Sequence, residues 1–202
     1  LVRFAGCCGD KGHMAGHNGS GAVLGSKRLK AIAVARGKAR VPVKNATRIS
    51  EISKLLLENV KSNPETMRTY TYGTLDGVYR GSKGGTVPMK NYTTNVASMM
   101  TEEQLQKFTG EYIRKNFQPK ANPCWACQLH HCHIMRVAEG QFKGEVVEEP
   151  EYEGLAAWGP VIGQPDVNDA VYLSTLVDRL GMDTNETGWV IALTMECYER
   201  GI

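Results

Sequence analysis

The stretch Asp166-Val-Asn-Asp-Ala-Val-Tyr-Leu-Ser-Thr-Leu-Val-Asp-Arg-Leu-Gly-Met-Asp-Thr184 decides much of the predicted fold. Its apolar residues recur at every third or fourth position, which is the spacing of one face of an α-helix. Asp166 stands where an N-cap is expected, because its carboxylate can accept a hydrogen bond from the first helical turn. Gly181 follows the last apolar residue and predicts the end of the helix. We therefore predict a helix over residues 166–180.

Further helices are predicted on both sides of this stretch. Thr187 to Arg200 is apolar enough for another helix, and Glu153 to Ile162 is a short apolar one. Thr101 opens a capping-box pattern that starts a helix running to Phe117. A helix capped by Ser50 is expected from the helical spacing of the apolar residues between positions 52 and 60.

The N-terminal part of the chain has a different character. Seven of the 22 glycines lie within the first 26 residues, which favours tight turns and close backbone approach. Leu29 to Ala35 alternates apolar with small or charged residues and predicts a strand, and Gln141 to Glu148 predicts a strand or hairpin arm. Residues 71–95 are rich in glycine and predict a loop. The fold class predicted is α+β, with a β-and-loop region before a mostly helical one.

The composition is that of an ordinary folded domain, with 202 residues, 42% of them hydrophobic and 22% charged. A net charge of +3 is far below the basic footprint of a nucleic-acid-binding protein. The chain has no run of about 18 apolar residues, and residues 1–6 are too short for a signal-peptide core. We therefore expect a soluble, cytoplasmic protein without membrane insertion. Because the sequence starts at Leu1 and stops within a helical pattern, we also expect it to be a fragment.

The clearest chemical signal is a cysteine cluster, in which Cys124, Cys127 and Cys132 have the spacing C-x2-C-x4-C. Three soft thiolates within nine residues suit zinc or an iron–sulfur cluster. Disulfides are the weaker interpretation because nothing indicates export, and ordinary buried cysteines are a further alternative. The fourth ligand decides between zinc and a cluster. Candidates are the neighbouring His130, His131 and His133, or a cysteine elsewhere in the protein.

A glycine-rich loop, Ala15-Gly-His-Asn-Gly-Ser-Gly-Ala-Val-Leu-Gly-Ser-Lys27, is the second signal. A phosphate loop needs Gly-Lys followed by Ser or Thr, and this loop has the order Gly-Ser-Lys instead. The dinucleotide-binding fingerprint is excluded because the predicted strand follows the loop rather than precedes it. Two interpretations remain: a nest of backbone N–H groups beside Lys27 and Arg28 that holds an anion, or a structural turn.

Two groups of carboxylates complete the candidates. Asp178 and Asp183 flank the turn at Gly181, where they are either solvated or functional. The segment Glu148-Glu-Pro-Glu151-Tyr-Glu153 is most simply a solvated acidic run that opens a helix, where negative charge is favourable. A buried glutamate of this run would be suited to serve as a general acid or base.

Taken in order, these motifs resemble the aldehyde ferredoxin oxidoreductase family of tungsten–pterin enzymes. The resemblance covers nearly the whole chain and rests on motifs that follow one another in the family's order. They are the loop ending Gly21-Ala-Val-Leu-Gly-Ser-Lys27 with Leu29 to Val34 after it, the cysteine cluster with Trp125, Glu151-Tyr-Glu153, Asp178-x-x-Gly-Met-Asp183-Thr184, and Met195-Glu-Cys-Tyr-Glu-Arg-Gly201. The resemblance implies that residues 1–40 end a β-rich pterin-binding domain and that residues 41–202 belong to a helical second domain.

The resemblance also implies two cofactors, a tungsten (or molybdenum) bis-pterin and a [4Fe-4S] cluster that passes electrons to ferredoxin or to an iron–sulfur subunit. Three cluster ligands would be Cys124, Cys127 and Cys132. Pterin contacts would come from Asp178, Gly181 and Asp183, with His17, Asn18, Gly19, Ser20 and Gly21 along the phosphate side. Glu153, or secondarily Glu151, would exchange a proton with the substrate near Thr184.

Two departures from the family pattern matter for the substrate. The family spacing is C-x2-C-x3-C, one residue shorter than here, and His17-Asn18-Gly19 replaces an Arg-Gly-Gly that carries a fixed positive charge. Both favour a divergent branch, the tungsten subunit of ATP-independent benzoyl-CoA reductases, which reduces an aromatic acyl-CoA instead of oxidising an aldehyde. We expect an oligomer in either case. An alternative from another class is a Cys3His zinc-binding structural module.

Overall fold

The computed structural model describes residues 2–9 and 13–202. Within these residues the chain forms nine α-helices and several short strands. The helices are α1 (Ser20–Ser26), α2 (Ala46–Ser62), α3 (Pro64–Tyr72), α4 (Asp76–Gly84), α5 (Glu102–Lys107), α6 (Gly110–Asn116), α7 (Tyr152–Ala156), α8 (Val167–Arg179) and α9 (Thr184–Glu199). None of these helices is long and apolar enough to cross a membrane.

The strands of the described residues form two small antiparallel sheets. In the first, β1 (Cys7–Cys8) pairs with β2 (Met14–Ala15), and Cys7 lies opposite Ala15. In the second, the order is β3 (Lys120–Ala121), β4 (His133–Arg136) and β5 (Val146–Glu148). Met135 of β4 lies opposite Val147 of β5. This mixture of helices and small sheets confirms the predicted α+β class.

The hydrophobic core lies between the second sheet and the C-terminal helices. Its fully buried side chains include Phe108, Phe117, Met135 and Leu155. A π-helical turn, Ala157–Val161, continues α7 and packs with α8 and α9. The core therefore supports β5 from one side and the start of α9 from the other.

The predicted helix-end signals are confirmed where they depend on local hydrogen bonds. The Asp166 carboxylate accepts the backbone N–H of Asn168 at 2.8 Å. Thr101 and Gln104 form the reciprocal capping box. Gly181 ends the turn after α8 with a φ of 72°, in the left-handed region that favours glycine.

The predicted strand at Leu29 to Ala35 is wrong. Residues 29–45 form neither helix nor strand and are exposed throughout, with Val34 90% exposed. An alternating pattern becomes a strand only where a neighbouring strand satisfies its backbone N–H and C=O groups. No strand of the described residues pairs with this segment.

Other element boundaries differ from the prediction. The expected loop over 71–95 contains α4, whose buried Val78 belongs to the core. The helix predicted to run from Thr101 to Phe117 is divided into α5 and α6, because Thr109 caps a new helix by accepting the N–H of Tyr112. The cap of α2 is Asn45 rather than Ser50.

Toward the C-terminus, the hairpin arm shortens to Val146–Glu148, and α9 begins three residues earlier than predicted because Asp183 caps it. The helix predicted over Glu153 to Ile162 is α7 followed by the π-helical turn. Gly12, one of the seven N-terminal glycines, lies outside the described residues.

Candidate active site

A cavity of 310 Å³ lies between two walls that come from distant parts of the chain. The glycine wall comprises residues 4–6, 13–21 and 178–184. The cysteine wall comprises residues 124–133 and 148–154. His13, His17, Asp178 and Asp183 line the cavity from the first wall, and Cys132, Glu148, Glu151 and Glu153 line it from the second.

The glycine wall is joined by backbone hydrogen bonds. The N–H of Gly6 donates to the carbonyl of Gly181 at 2.9 Å, and the N–H of Asp183 donates to that of Phe4 at 2.8 Å. The N–H of Gly21 donates to the carbonyl of Ala5 at 2.9 Å. A Cβ at Gly21 would lie 2.7 Å from the Ala5 oxygen and closer still to that of Gly6, so this approach requires glycine.

The residues implied to face a pterin divide into three groups. His17 and Asp183 meet at the main cavity, where Nδ1 of the imidazole lies 3.5 Å from a carboxylate oxygen. Asn18 and Gly19, both with positive φ, line a neighbouring cavity of 270 Å³ that Asp183 also reaches. Ser20, Gly21 and Gly181 line neither cavity. The Ser20 hydroxyl instead donates to the carbonyl of Ala15 at 3.1 Å, so these three residues shape the wall itself.

Two carboxyl groups at the cavity have strongly shifted pKa values. Burial, reinforced by the neighbouring Glu148 and Asp183, raises the pKa of Asp178 to about 7. Burial, reinforced by Glu151 and Glu149, likewise raises the pKa of Glu148 to about 7. A neutral carboxyl offers one O–H donor and one acceptor, which is the pattern that binds the polar edge of a heterocycle such as a pterin. The glycine wall therefore fits the implied group.

The cysteines are only partly brought together. Cys132 is buried, and its Sγ lies 3.6 Å from a carboxylate oxygen of Glu151 and 3.7 Å from Nδ1 of His131. The Sγ atoms of Cys124 and Cys132 and a ring nitrogen of His13 all lie within 4.8 Å of one another. The thiol of Cys127 is not in this group of donor atoms. Its backbone N–H donates to the carbonyl of Cys124 at 3.2 Å, which keeps the two residues close together.

This donor set fits a thiophilic metal centre. Burial, with the charges of Glu151 and Cys124, raises the pKa of the Cys132 thiol, which therefore stays protonated when no metal is bound. A bound metal reverses that preference and holds the thiolate. Thiolates are the ligands of both zinc and iron–sulfur centres, so the residues suit either.

A buried ionic network, which the sequence interpretation missed, supports the cysteine wall. Arg114 of α6 makes a two-point ion pair with Glu149 and donates to the carbonyl of His131 at 2.8 Å. Nδ1 of His133 lies 2.7 Å from the same carboxylate. The prediction of a solvated acidic run is therefore wrong for Glu149, whose side chain is 2% exposed. Its partner comes from α6, far away along the chain, and no spacing in the sequence signals such a pairing.

The three residues implied for catalysis lie at the cavity but differ in their partners. Glu151 accepts a hydrogen bond from the Thr74 hydroxyl, and Thr184 accepts one from Nε1 of Trp158 at 3.0 Å. The Glu153 side chain is exposed, unlike the buried Glu149, and lines the cavity. It makes no side-chain hydrogen bond to another described residue, so its oxygens remain available to a ligand in the cavity.

The sequence is similar to that of known proteins. Residues 51–202 match the family described as aldehyde ferredoxin oxidoreductase, domains 2 and 3. The whole chain aligns with the tungsten-containing aldehyde ferredoxin oxidoreductases of Pyrococcus furiosus, at 33% identity, and Thermococcus kodakarensis, at 34%. It also aligns, at 30% identity, with a Pyrococcus furiosus protein named aliphatic sulfonate oxidoreductase, WOR-like subunit.

The chain spans about a third of these relatives, 32% of the first two and 31% of the third. The match to the family nevertheless extends over most of the chain and includes all three clustered cysteines and the turn at Gly181. The chain therefore belongs to the aldehyde ferredoxin oxidoreductase family.

Proposed function

We propose that this chain is the cluster-bearing part of a tungsten–pterin oxidoreductase that oxidises aldehydes to carboxylic acids, with ferredoxin as electron acceptor. One observation carries the proposal. A candidate cluster ligand, Cys132, a candidate pterin contact, Asp178, and a candidate proton-transfer group, Glu153, all line one cavity. Zinc modules need no such cavity beside their cysteines, so this convergence favours an enzyme.

The proposal assigns roles to both walls. Cys124, Cys127 and Cys132 would hold a [4Fe-4S] cluster. The pterin would contact Asp178, Gly181 and Asp183 and the loop from His17 to Gly21. When bound, the metal–pterin centre supplies the two-electron chemistry and the cluster passes electrons singly. Residues 1–40 would then end a pterin-binding domain, and residues 41–202 would form most of a second domain.

Glu153 is the proposed proton-transfer residue. Oxidation of an aldehyde to an acid takes an oxygen atom from water and releases two protons with two electrons. A carboxylate that lines the cavity without a protein partner is placed to accept one of those protons. Glu151 is the weaker candidate because Thr74 already holds it. Thr184, held by Trp158, would orient the substrate beside Glu153.

A second candidate is reduction of an aromatic acyl-CoA with the same cofactors. The surroundings of Cys132 favour it, since His131 and His13 both approach the sulfur. Such hydrogen-bonding groups adjust the potential of a cluster. One relative is named for aliphatic sulfonates and not for aldehydes, so membership of the family does not by itself select an aldehyde substrate.

The first test is anaerobic purification of the whole natural protein, followed by metal analysis and assays. We expect about four irons, tungsten or molybdenum, a broad absorption band near ~400 nm, and aldehyde-dependent reduction of ferredoxin. Reduction of benzoyl-CoA by reduced ferredoxin, without aldehyde oxidation, would select the second candidate. A colourless protein with one zinc would contradict both and identify a structural module.

The proton-transfer role is tested separately with Glu153→Gln. General acid–base catalysis contributes about 10²–10⁴-fold, so we expect kcat to fall by at least about 10²-fold with metal content unchanged. Glu145→Gln is the matched control, because Glu145 is exposed immediately before β5 and lies outside the cavity. Equal activities in the two variants would remove Glu153 from the mechanism.

A further inference from the structure

His13 is a side chain of the glycine wall whose ring faces the cysteine wall. It lies immediately before β2 and lines the cavity. Its Nδ1 is 3.6 Å from a carboxylate oxygen of Glu148. Its Nε2 is buried and has no hydrogen-bond partner among the described residues.

The surroundings of this ring contain sulfur as well as oxygen. A ring nitrogen of His13 lies within 4.8 Å of both Cys124 Sγ and Cys132 Sγ, and those two sulfurs also lie within 4.8 Å of each other. Since the carboxylate of Glu148 faces Nδ1, the nitrogen left to face the sulfurs is Nε2. Buried ring nitrogens normally have a partner, and one left without any is costly. The thiolates are the acceptors in reach.

We propose that His13 donates its Nε2–H to a cysteine thiolate of the iron–sulfur cluster and thereby links the glycine wall to the cluster. This inference rests on the proposed function, because it assumes that a cluster occupies the cysteine wall. His13 acts as a positioning and tuning residue and not as a ligand. The fourth ligand that a [4Fe-4S] cluster needs would be a cysteine elsewhere in the protein. An imidazole that carries its proton on Nε2 donates to sulfur from that side.

The hydrogen bond has a direct electrochemical consequence. An N–H aimed at a thiolate stabilises the negative charge that a cluster gains on reduction, which raises its reduction potential. His17, four residues further along the same loop, contacts Asp183 on the pterin-facing side. The short segment from residue 13 to residue 17 therefore touches both proposed cofactor sites.

The test is an EPR-monitored redox titration of the cluster in the whole cofactor-loaded protein. His13→Leu removes the donor, and we expect a more negative midpoint potential with the iron content unchanged. His13→Gln keeps an N–H donor, and we expect it to restore part of the shift. Gln141→Leu is the control, because Gln141 is an exposed polar side chain on the turn before β5, outside both walls of the cavity.

Two results would overturn the inference while leaving the proposed function intact. One is a cluster in His13→Leu with the wild-type potential. The other is loss of iron in His13→Leu and His13→Gln together with recovery in His13→Cys, which would make His13 a ligand.

Pulsed EPR on wild-type protein with ¹⁵N-histidine gives a check that needs no variant to fold. We expect only weak nitrogen coupling, and a strongly coupled nitrogen would again indicate ligation. Wild-type protein without any cluster would instead contradict the proposed function.

Discussion

The two walls of the cavity are built on different physical principles. Backbone hydrogen bonds hold the glycine wall, from Gly6 to Gly181 and from Asp183 to Phe4. In the cysteine wall a backbone bond from Glu149 to His133 is joined by side-chain pairs, Arg114 with Glu149 and Thr74 with Glu151. Backbone bonds tolerate most side-chain changes but require glycine where chains touch. A buried ion pair fails when either partner is removed. The two walls should therefore respond to opposite kinds of substitution.

The largest expected effect is at Arg114. Replacing it by leucine leaves the Glu149 carboxylate buried without its charge partner, and breaking such a pair costs about 3–5 kcal/mol in the free energy of unfolding. Urea denaturation of the purified protein measures this. The matched control is Arg80→Leu, whose pair with Glu65 is exposed and contributes within about 1 kcal/mol. Similar losses in both variants would mean that the cysteine wall does not depend on the buried pair.

The glycine wall is tested by Gly21→Ala. The added Cβ would press against the carbonyls of Ala5 and Gly6, and overpacking of this kind costs about 2 kcal/mol. Gly84→Ala is the control, because nothing lies within 4 Å of a Cβ there and the residue ends α4. That change should stabilise the protein by about 0.5–1 kcal/mol. Thermal unfolding compares the two variants. An unchanged melting temperature in Gly21→Ala would show that the backbone of the glycine wall can shift to accommodate the added Cβ.

The pH dependence of the free energy of unfolding tests Asp178, which faces the cysteine wall from the glycine wall. Its pKa is about 7 in the fold and about 3.9 in an unfolded chain, so the folded state binds the proton more tightly. Without cofactors, the free energy of unfolding should therefore fall as pH rises from about 4 to 7, and then level off. We expect a loss of about 2 kcal/mol, roughly half the unscreened value because water reaches the site. Asp178→Asn should flatten this slope in urea titrations, and an unchanged slope would contradict the assignment.

The smallest expected effect is at Thr74. Its hydroxyl donates to Glu151 and accepts the N–H of Tyr152 at 3.0 Å, so Thr74→Val loses two hydrogen bonds that fix the start of α7. We expect a loss of about 1 kcal/mol. Thr71→Val is the control, since that hydroxyl donates only to the Met67 carbonyl on an exposed helix. If the two variants lose the same free energy of unfolding, the hydrogen bond from Thr74 does not hold Glu151 in place.

The prediction from sequence succeeded where the deciding interactions are local. Asp166 caps α8 through the N–H two residues later, and Thr101 and Gln104 cap each other across one turn. Nothing beyond a few residues is needed for such bonds, so their pattern is visible in the sequence. The cysteine spacing is informative for the same reason.

Prediction from the sequence failed where the deciding partner is distant along the chain. Leu29 to Ala35 has the alternation of a strand, but pairing needs a second strand that spacing cannot reveal. The acidic run from Glu148 to Glu153 has the composition of a solvated segment, yet Glu149 is buried and paired with Arg114 of the distant helix α6. His13 drew no attention in the sequence because its relation to Cys124 and Cys132 spans more than a hundred residues.

By itself, the sequence determined the helices of the C-terminal half, the turn at Gly181, the cysteine cluster and the family resemblance, because each is encoded by neighbours along the chain. Only the tertiary structure decided that the glycine wall faces the cysteine wall and that Glu149 is buried with Arg114. It also decided that His13 meets the thiols. These features arise when segments far apart in sequence exclude water between them, and burial then decides which charges must be paired.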